Sequence, residues 1–261
     1  MRSFLSSLKL GLLLLTLAAP ASAQNGVLVF GGTGQLGREI VSALVEAGED
    51  VTVFVRPTSD RSALDPLGVT FVTGDVLTQA DVNAALKSGP YKVVIDALAR
   101  DGGVKPGFYI DSMKYIAAAA KETGVKQVIL HGSVGAGLSH LSDRDPGGEF
   151  SDLMLAKGLG ERYLMESGVP YTIIRNWALL PARLKETGAA FLTEDQSARG
   201  LITRDALARL TLECMDQAHC LNEIFHAVDD ATDFPEPFKS RLKAQRDWEA
   251  QNQKDREAQN R

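Results

Sequence analysis

A glycine-rich turn between the first buried strand and the first long helix constrains the fold more than any other feature of the chain. In VLVFGGTGQLGRE, Gly31, Gly34 and Gly37 recur at three-residue intervals. Glycine permits a tight turn and a close approach of backbone to a ligand, and the free N–H groups at a helix start attract a pyrophosphate. A ligand-free glycine turn is the simpler alternative. The residues predicted to contact a dinucleotide here are Gly31, Thr33, Gly34, Gln35, Leu36 and Gly37.

Apolar runs bounded by turn residues alternate with helical stretches along the rest of the chain. They predict strands over residues 26–30, 51–55, 69–73, 92–99, 126–132 and 171–175. Helical periodicity predicts helices over residues 34–47, 78–87, 108–123, 150–167 and 203–216. Short strand–helix connections favour right-handed crossovers. We therefore predict an α/β fold, a doubly wound parallel sheet of the Rossmann type with helices on both faces and a small C-terminal substrate lobe.

The two ends of the chain differ from its middle. A short basic start, the apolar run LGLLLLTLAAP and the small residues ASA predict a signal peptide over residues 1–23. The apolar run is shorter than the ~20 residues that span a bilayer, so we expect no stable membrane insertion after cleavage. Residues 24–234 would then form a periplasmic or secreted nucleotide-binding domain. If the leader is misread, the protein is cytoplasmic. The charged residues 235–261 predict a helical or disordered tail, open to a protein partner.

The charge and the cysteine content of the chain argue against some classes of binding partner. The net charge of −5 and the pI of about 5.5 argue against a nucleic-acid partner. The two cysteines, Cys214 and Cys220, are too few for a zinc or redox site, and we predict no metal. In an oxidising compartment they would form a disulfide; two buried free thiols are the alternative.

The end of the second strand indicates which dinucleotide is bound. An NAD enzyme places an acidic residue there to accept from the ribose 2′-hydroxyl. Here VTVFVRPTSDR places Arg56 at that point, and a guanidinium matches the 2′-phosphate of NADP. Thr58, Ser59 or Arg61 would add contacts. A surface arginine is the alternative, because Asp60 follows four residues later. The sequence thus favours NADP(H) over NAD(H).

Several segments carry a family resemblance. The spacing of GGTGQLG, the GDV at 74–76, the lysine of LAKGLGERYLMESGVPYTIIR and the later LITRDALARLTLECM resemble the extended and atypical short-chain dehydrogenase/reductases. The NmrA-like and NAD(P)H-binding subfamilies are the most similar, from Val27 to about Asp229. The resemblance implies that Asp75 and Val76 lie beside the adenine. It further implies that residues at the end of the fourth strand cover the cofactor, namely Ala97, Leu98 and Ala99.

The catalytic residues of that family are only partly present. Short-chain reductases use a tyrosine four residues before a lysine on one helical face, and the lysine lowers the tyrosine pKa. Lys157 fits the lysine, but Leu153 stands at the tyrosine position and cannot carry a proton. The resemblance makes Lys157 a ligand of the nicotinamide ribose and places Ser133 at the family's serine, so these two are the predicted catalytic residues. Asp152 is a further polar candidate for the acid.

Three residues near this region have less specific roles. Asp96 is unusual in a buried strand, and we expect it at the crevice or bonded to backbone, with no catalytic role. His131 is interpreted as a core histidine and left out of the site. Asn176, Trp177 and Ala178 replace the family's Arg-Pro-Gly, and Trp177 either stacks on a flat ligand or fills core.

Two functions are consistent with these features. The first is an NADPH-dependent reductase that transfers hydride to an unidentified small molecule, similar to flavin or biliverdin reductase relatives. The second is a non-catalytic, NmrA-like nucleotide-binding sensor or assembly factor, which the missing tyrosine favours.

Overall fold

A computed structural model describes residues 25–99, 107–137, 149–184 and 187–230, together with positions 236, 240, 243 and 247. The predicted signal peptide and nearly all of the predicted tail lie outside the described residues. Within these segments every helix falls short of the length and apolar character that crossing a bilayer requires.

The described segments contain ten strands and five helices. The strands are β1 Gly26–Phe30, β2 Asp50–Val55, β3 Thr70–Thr73, β4 Tyr91–Asp96, β5 Gln127–Ser133, β6 Tyr171–Asn176, β7 Ala178–Leu180, β8 Ala190–Thr193, β9 Leu201–Thr203 and β10 Glu223–Asp229. The helices are α1 Gln35–Glu46, α2 Gln79–Lys87, α3 Gly107–Thr123, α4 Glu149–Ser167 and α5 Arg204–Glu213. The six predicted strands and five predicted helices are all present.

Eight strands form one sheet in the order β3-β2-β1-β4-β5-β6-β10-β8. Adjacent strands are parallel, except that β8 runs antiparallel to β10. The order reverses between β1 and β4, and this switch point opens the crevice where doubly wound sheets bind ligands. The predicted Rossmann-type fold is confirmed.

Helices cover both faces of the sheet because successive strand residues point to opposite sides. On β1, Val27 and Val29 pack with α1 and α5, while Leu28 and Phe30 pack with α2, α3 and α4. All four side chains are fully buried. Burial on both faces explains why the central strands read as unbroken apolar runs.

The C-terminal third holds the strands that the pattern did not predict. β7 and β9 form a separate parallel pair, around which Trp177, Leu180 and Leu201 make a small apolar cluster. This pair lies outside the eight-stranded sheet, and the predicted C-terminal substrate lobe stays a prediction. Trp177 is half-buried against this cluster and does not line the crevice.

Cys214 and Cys220 form a disulfide, with their Cα atoms 5.5 Å apart. It joins the end of α5 to the segment that leads into β10. The side chains of Gln127 and Thr172 donate to the carbonyl oxygens of Cys214 (2.9 Å) and Cys220 (2.6 Å). The bridge and these bonds fix the outer strands to the centre of the sheet.

Candidate functional site

The glycine turn has the geometry that a diphosphate requires. Gly31 has φ +78°, and a Cβ there would lie 2.6 Å from the carbonyl of Ala97. The Gly34 N–H donates to the Gly31 carbonyl at 2.9 Å and closes the turn before α1 begins. A Cβ on Gly37 would collide with the Gly31 carbonyl. Side chains are thus excluded from the turn on two sides by backbone.

An open crevice of about 730 Å³ lies at the carboxyl ends of β1, β4 and β5. Every predicted site residue except Gly37 lines it. Gly37 instead packs beneath the turn, where it lets α1 approach β1. The first N–H groups of α1 have no partner within the helix and lie at the crevice, so the chain fits a dinucleotide diphosphate.

The crevice wall after β2 carries a single arginine. Arg56 is exposed and lines the crevice with Ser59, whose hydroxyl accepts from the Arg56 backbone N–H at 3.1 Å. Arg61 does not line it; its guanidinium lies over the Phe71 ring, 5.0 Å from the centroid. Asp60 is also outside, where the Ser62 backbone N–H is the main cause that lowers its pKa. Arg56 therefore faces the crevice without its acidic neighbour.

The adjacent wall after β3 is stabilised by its own carboxylates. Asp75 accepts from the Leu77 backbone N–H at 2.9 Å, and Asp81 accepts from the Asp75 N–H at 2.8 Å. Val76 is buried against Phe54, which lines the crevice as well. These contacts give the pocket an apolar floor with a polar rim, which suits an adenine ring.

Lys157 and Ser133 meet at the other end of the crevice. The Lys157 ammonium, carried on α4, donates to the Ser133 hydroxyl at the end of β5 over 2.7 Å. It also lies 4.9 Å from the centre of the Tyr109 ring. Burial lowers the pKa of Lys157, and the nearby carboxylates of Glu161 and Asp96 oppose that shift. The structure thus brings together the two residues predicted as catalytic.

The helix position that carries the family's tyrosine holds no proton donor in this chain. Leu153 lies one turn before Lys157 on α4 and is half-buried. Tyr163 on the same helix is exposed, beneath the Lys114 ammonium at 5.9 Å. Asp152 is exposed and does not line the crevice. Of the described residues beside Lys157, Ser133 is the one whose hydroxyl lines the crevice.

Two buried titratable groups flank this end. Burial raises the pKa of Asp96 to about 7, although its carboxylate accepts from the Leu98 backbone N–H at 2.8 Å. Burial lowers the pKa of His131 to about 4. The Thr211 hydroxyl donates to the Leu207 carbonyl, so it accepts from His131 Nε2 at 3.2 Å. These contacts confirm the backbone bond expected for Asp96. His131 is buried and bonded within the core, as predicted, but it also lines the crevice, from which the prediction left it out.

Several lining residues were not predicted as members of the site. Arg204 reaches the crevice from the start of α5 while its guanidinium donates to the Leu180 carbonyl at 2.9 Å. Asn176 lines it too and donates to the Gly132 carbonyl at 3.1 Å. The remaining unpredicted residues are Phe54, Leu77, Phe108, His131, Gly132 and Leu179. Most come from strand ends or helix starts whose approach depends on the tertiary fold.

Comparison with known proteins agrees with this geometry. The family model described as NAD(P)H-binding matches residues 31–218. An uncharacterized chloroplastic protein of Arabidopsis thaliana is 30% identical over 212 residues, 73% of this chain and 72% of its own. An isoflavone reductase homolog of Nicotiana glauca is 24% identical over 225 residues, 79% of this chain and 69% of its own.

Among solved structures, an anaerobillin reductase of Escherichia coli has a similar fold. The TM-score is 0.67 at 22% identity, and the match covers 80% of this chain and 99% of that one. At this identity the likeness concerns the fold.

Proposed function

Since this chain belongs to the NAD(P)H-binding family of Rossmann-fold proteins, we propose that it is an NADP(H)-dependent reductase of a small conjugated molecule. When bound, the nicotinamide would supply a hydride from its C4. The observation that carries the proposal is the 2.7 Å bond between Lys157 and Ser133 on the wall of the crevice that also contains the glycine turn. The relative described as an isoflavone reductase homolog supports the reaction class.

The preference for NADP(H) rests on the wall after β2. Arg56 is exposed there, and no acidic side chain lines the described part of that wall up to Ser59. A guanidinium donates to a phosphate through two parallel N–H bonds, whereas it gains little from a free 2′-hydroxyl. The Ser59 hydroxyl lies in the same turn and adds a second donor.

Lys157 and Ser133, at the other end of the crevice, would orient the nicotinamide ribose and protonate the acceptor. Lys157 is mostly buried, so its position is restricted, and its ammonium is available to a ribose hydroxyl as well as to Ser133. The Ser133 hydroxyl would donate to the oxygen of the acceptor as negative charge develops there. Leu153 stands at the family's tyrosine position and has no proton to donate, so this role would pass to Ser133.

The test is NADPH oxidation with three probe acceptors: menadione, flavin mononucleotide and 4-nitrobenzaldehyde. We expect steady turnover with at least one of them, with NADH used more slowly. Tight NADPH binding without turnover on a broader set of quinones, flavins and carbonyls would contradict the reductase proposal.

A second candidate is a nucleotide-binding sensor or assembly factor without turnover, which Leu153 favours. Robust turnover by the wild type would exclude it. Under this alternative, Leu153→Tyr would create reductase activity that the wild type lacks, because it would restore the tyrosine–lysine pair.

We also propose that the protein works outside the cytoplasm. The leader pattern and the Cys214–Cys220 disulfide, a bond typical of oxidising compartments, support this location. Because free NADPH belongs to the cytoplasm, an exported reductase would need a tightly held nucleotide. Cell fractionation with thiol labelling tests the proposal: we expect a processed, unlabelled protein outside the cytoplasm, and a full-length, labelled cytoplasmic protein would contradict it.

A further inference from the structure

A small cavity, partly open to solvent, adjoins the Lys157–Ser133 pair between the sheet and helices α3 and α4. Its volume is about 20 Å³, and it shares Leu98, His131, Gly132 and Lys157 with the crevice. Lys157 therefore stands between the crevice and the cavity.

The cavity has room for one water molecule. A buried water needs about 10–15 Å³ and two to four polar partners. Asp96 from β4 and Lys157 and Glu161 from α4 supply charged groups, and the rest of the lining is largely apolar. A water here would connect the Asp96 carboxyl to the Lys157 ammonium.

Asp96 is the carboxyl of this cavity that is suited to carry a proton. It is 4% exposed and accepts one hydrogen bond, from the Leu98 backbone N–H. Glu161 is also buried, but it accepts two bonds from the Arg175 guanidinium, at 3.2 and 2.5 Å, which favour its ionised form. Burial raises the pKa of both groups, and for Glu161 the arginine opposes that rise.

The other titratable groups around Asp96 are less suited to carry this proton. Tyr109 from α3 presents its ring to Lys157. His131 from β5 hydrogen-bonds Thr211 on α5, and burial keeps it neutral. Lys157 is the nearby cation that favours the ionised form of Asp96, and both residues line the same cavity.

We infer that Asp96 stores the proton that this tyrosine-lacking site delivers to the reduced acceptor, through the cavity water, Lys157 and Ser133. The inference rests on the proposed reductase function and deepens it. Asp96 would be a proton reservoir that acts through Lys157, and Ser133 would be the group that touches the acceptor.

The proton transfers balance. The hydride adds to the acceptor and leaves negative charge on its oxygen, which takes the Ser133 proton. Lys157 gives a proton to the Ser133 oxygen, and the Asp96 acid returns one to Lys157 through the water. Asp96 ends as a carboxylate and is reprotonated from solvent, so each turnover consumes one proton and one hydride.

The first test follows the Asp96 carboxyl itself in the cofactor-free protein, by carbon NMR with labelled aspartate. We expect one aspartate that titrates near pH 7, absent in Asp96→Asn and retained in Asp229→Asn. Asp229 is a matched control, a buried aspartate at the end of β10. If every aspartate titrates near its usual pKa of about 3.9, the inference is wrong.

The second test compares turnover against pH, with whichever of menadione, flavin mononucleotide and 4-nitrobenzaldehyde the wild type reduces. The wild-type rate should fall as pH rises through 7, and Asp96→Asn should be about ten- to hundredfold slower below that point, with no such fall. Asp229→Asn should match the wild type. Identical profiles for Asp96→Asn and wild type would overturn the inference alone. Absence of wild-type turnover would instead overturn the proposed function, and the inference with it.

Discussion

The two ends of the crevice recognise their ligand by different means. At the diphosphate end, the ligand would be recognised by backbone geometry. Gly31 adopts a left-handed conformation and Gly37 packs against it. At the other end, polar side chains from β4, β5 and α4 are brought together, namely Asp96, Ser133 and Lys157. The first end tolerates no added side chain, and the second depends on groups whose protonation changes with their surroundings. Binding and chemistry should therefore respond separately to mutation.

The largest expected effect is at the charged end. Lys157→Met should lower turnover by about 10²- to 10⁴-fold, because the Ser133 hydroxyl loses its proton source. The NADPH dissociation constant should change by less than about tenfold, because the diphosphate contacts remain. Steady-state kinetics measure the turnover, and a fluorescence titration measures the NADPH dissociation constant.

Lys114→Met is the control for that change. Lys114 is exposed on the neighbouring helix α3 and lies over the Tyr163 ring, away from the crevice. Its replacement should leave turnover and binding unchanged. A Lys157→Met enzyme that binds poorly but turns over normally would reverse the assignment of the two ends.

The next effect concerns stability at the same end. The pKa of Asp96 is about 7 when folded and near its ordinary value when unfolded, so the native state binds more protons between these values. The free energy of unfolding of the wild type should therefore decrease as pH rises towards 7. Asp96→Asn removes this dependence.

Relative to Asp96→Asn, the wild type should lose about 2–3 kcal/mol of stability between about pH 5 and pH 8. Denaturant unfolding of both proteins at the two pH values measures it. Because His131 is common to both, its opposite dependence below pH 6.5 cancels in the difference. A constant difference between the two proteins would show that Asp96 is ionised throughout.

Gly31→Ala tests the backbone end against a matched glycine. Gly31 and Gly48 have similar φ, +78° and +80°, but a Cβ has backbone within 2.6 Å only at Gly31 and open space at Gly48. Gly48→Ala should cost about 1–2 kcal/mol of stability from the left-handed conformation, and Gly31→Ala should cost more, because its Cβ would also clash with the Ala97 backbone. Only Gly31→Ala should also weaken NADPH binding, by about a hundredfold, because the turn must shift. Equal NADPH affinities of the two variants would contradict a role of the glycine turn in NADPH binding.

The backbone end was predictable from sequence because its determinants are local. The glycine spacing, the flanking strand and the helix start all lie within residues 26–47. Helix ends were equally clear where Gly48, Gly124 and Gly168 adopt positive φ. Gly89 also follows a helix, but α2 ends at Ser88 in the right-handed region and Gly89 has no positive φ.

The charged end was predictable only in part. Lys157 and Ser133 followed from the family resemblance, but the cavity that joins Lys157 to Asp96 did not, because its walls come from β4, β5, α3 and α4. Strand β10 was missed for a similar reason: Glu223 and His226 interrupt its apolar pattern, and it is defined by pairing with β6 and β8. Long-range contacts of this kind leave little trace in one segment.

The central claim, that this crevice holds NADP(H), is tested most directly by titrating the protein with NADPH and NADH by fluorescence. We expect NADPH to bind more tightly, and Arg56→Ala to weaken NADPH by about 10- to 30-fold while leaving NADH unchanged, since only NADPH carries the 2′-phosphate. Arg61→Ala is the control, because Arg61 lies over Phe71 and outside the crevice. Equal binding of both dinucleotides that Arg56→Ala does not alter would contradict the NADP assignment, and no binding of either would contradict the site itself.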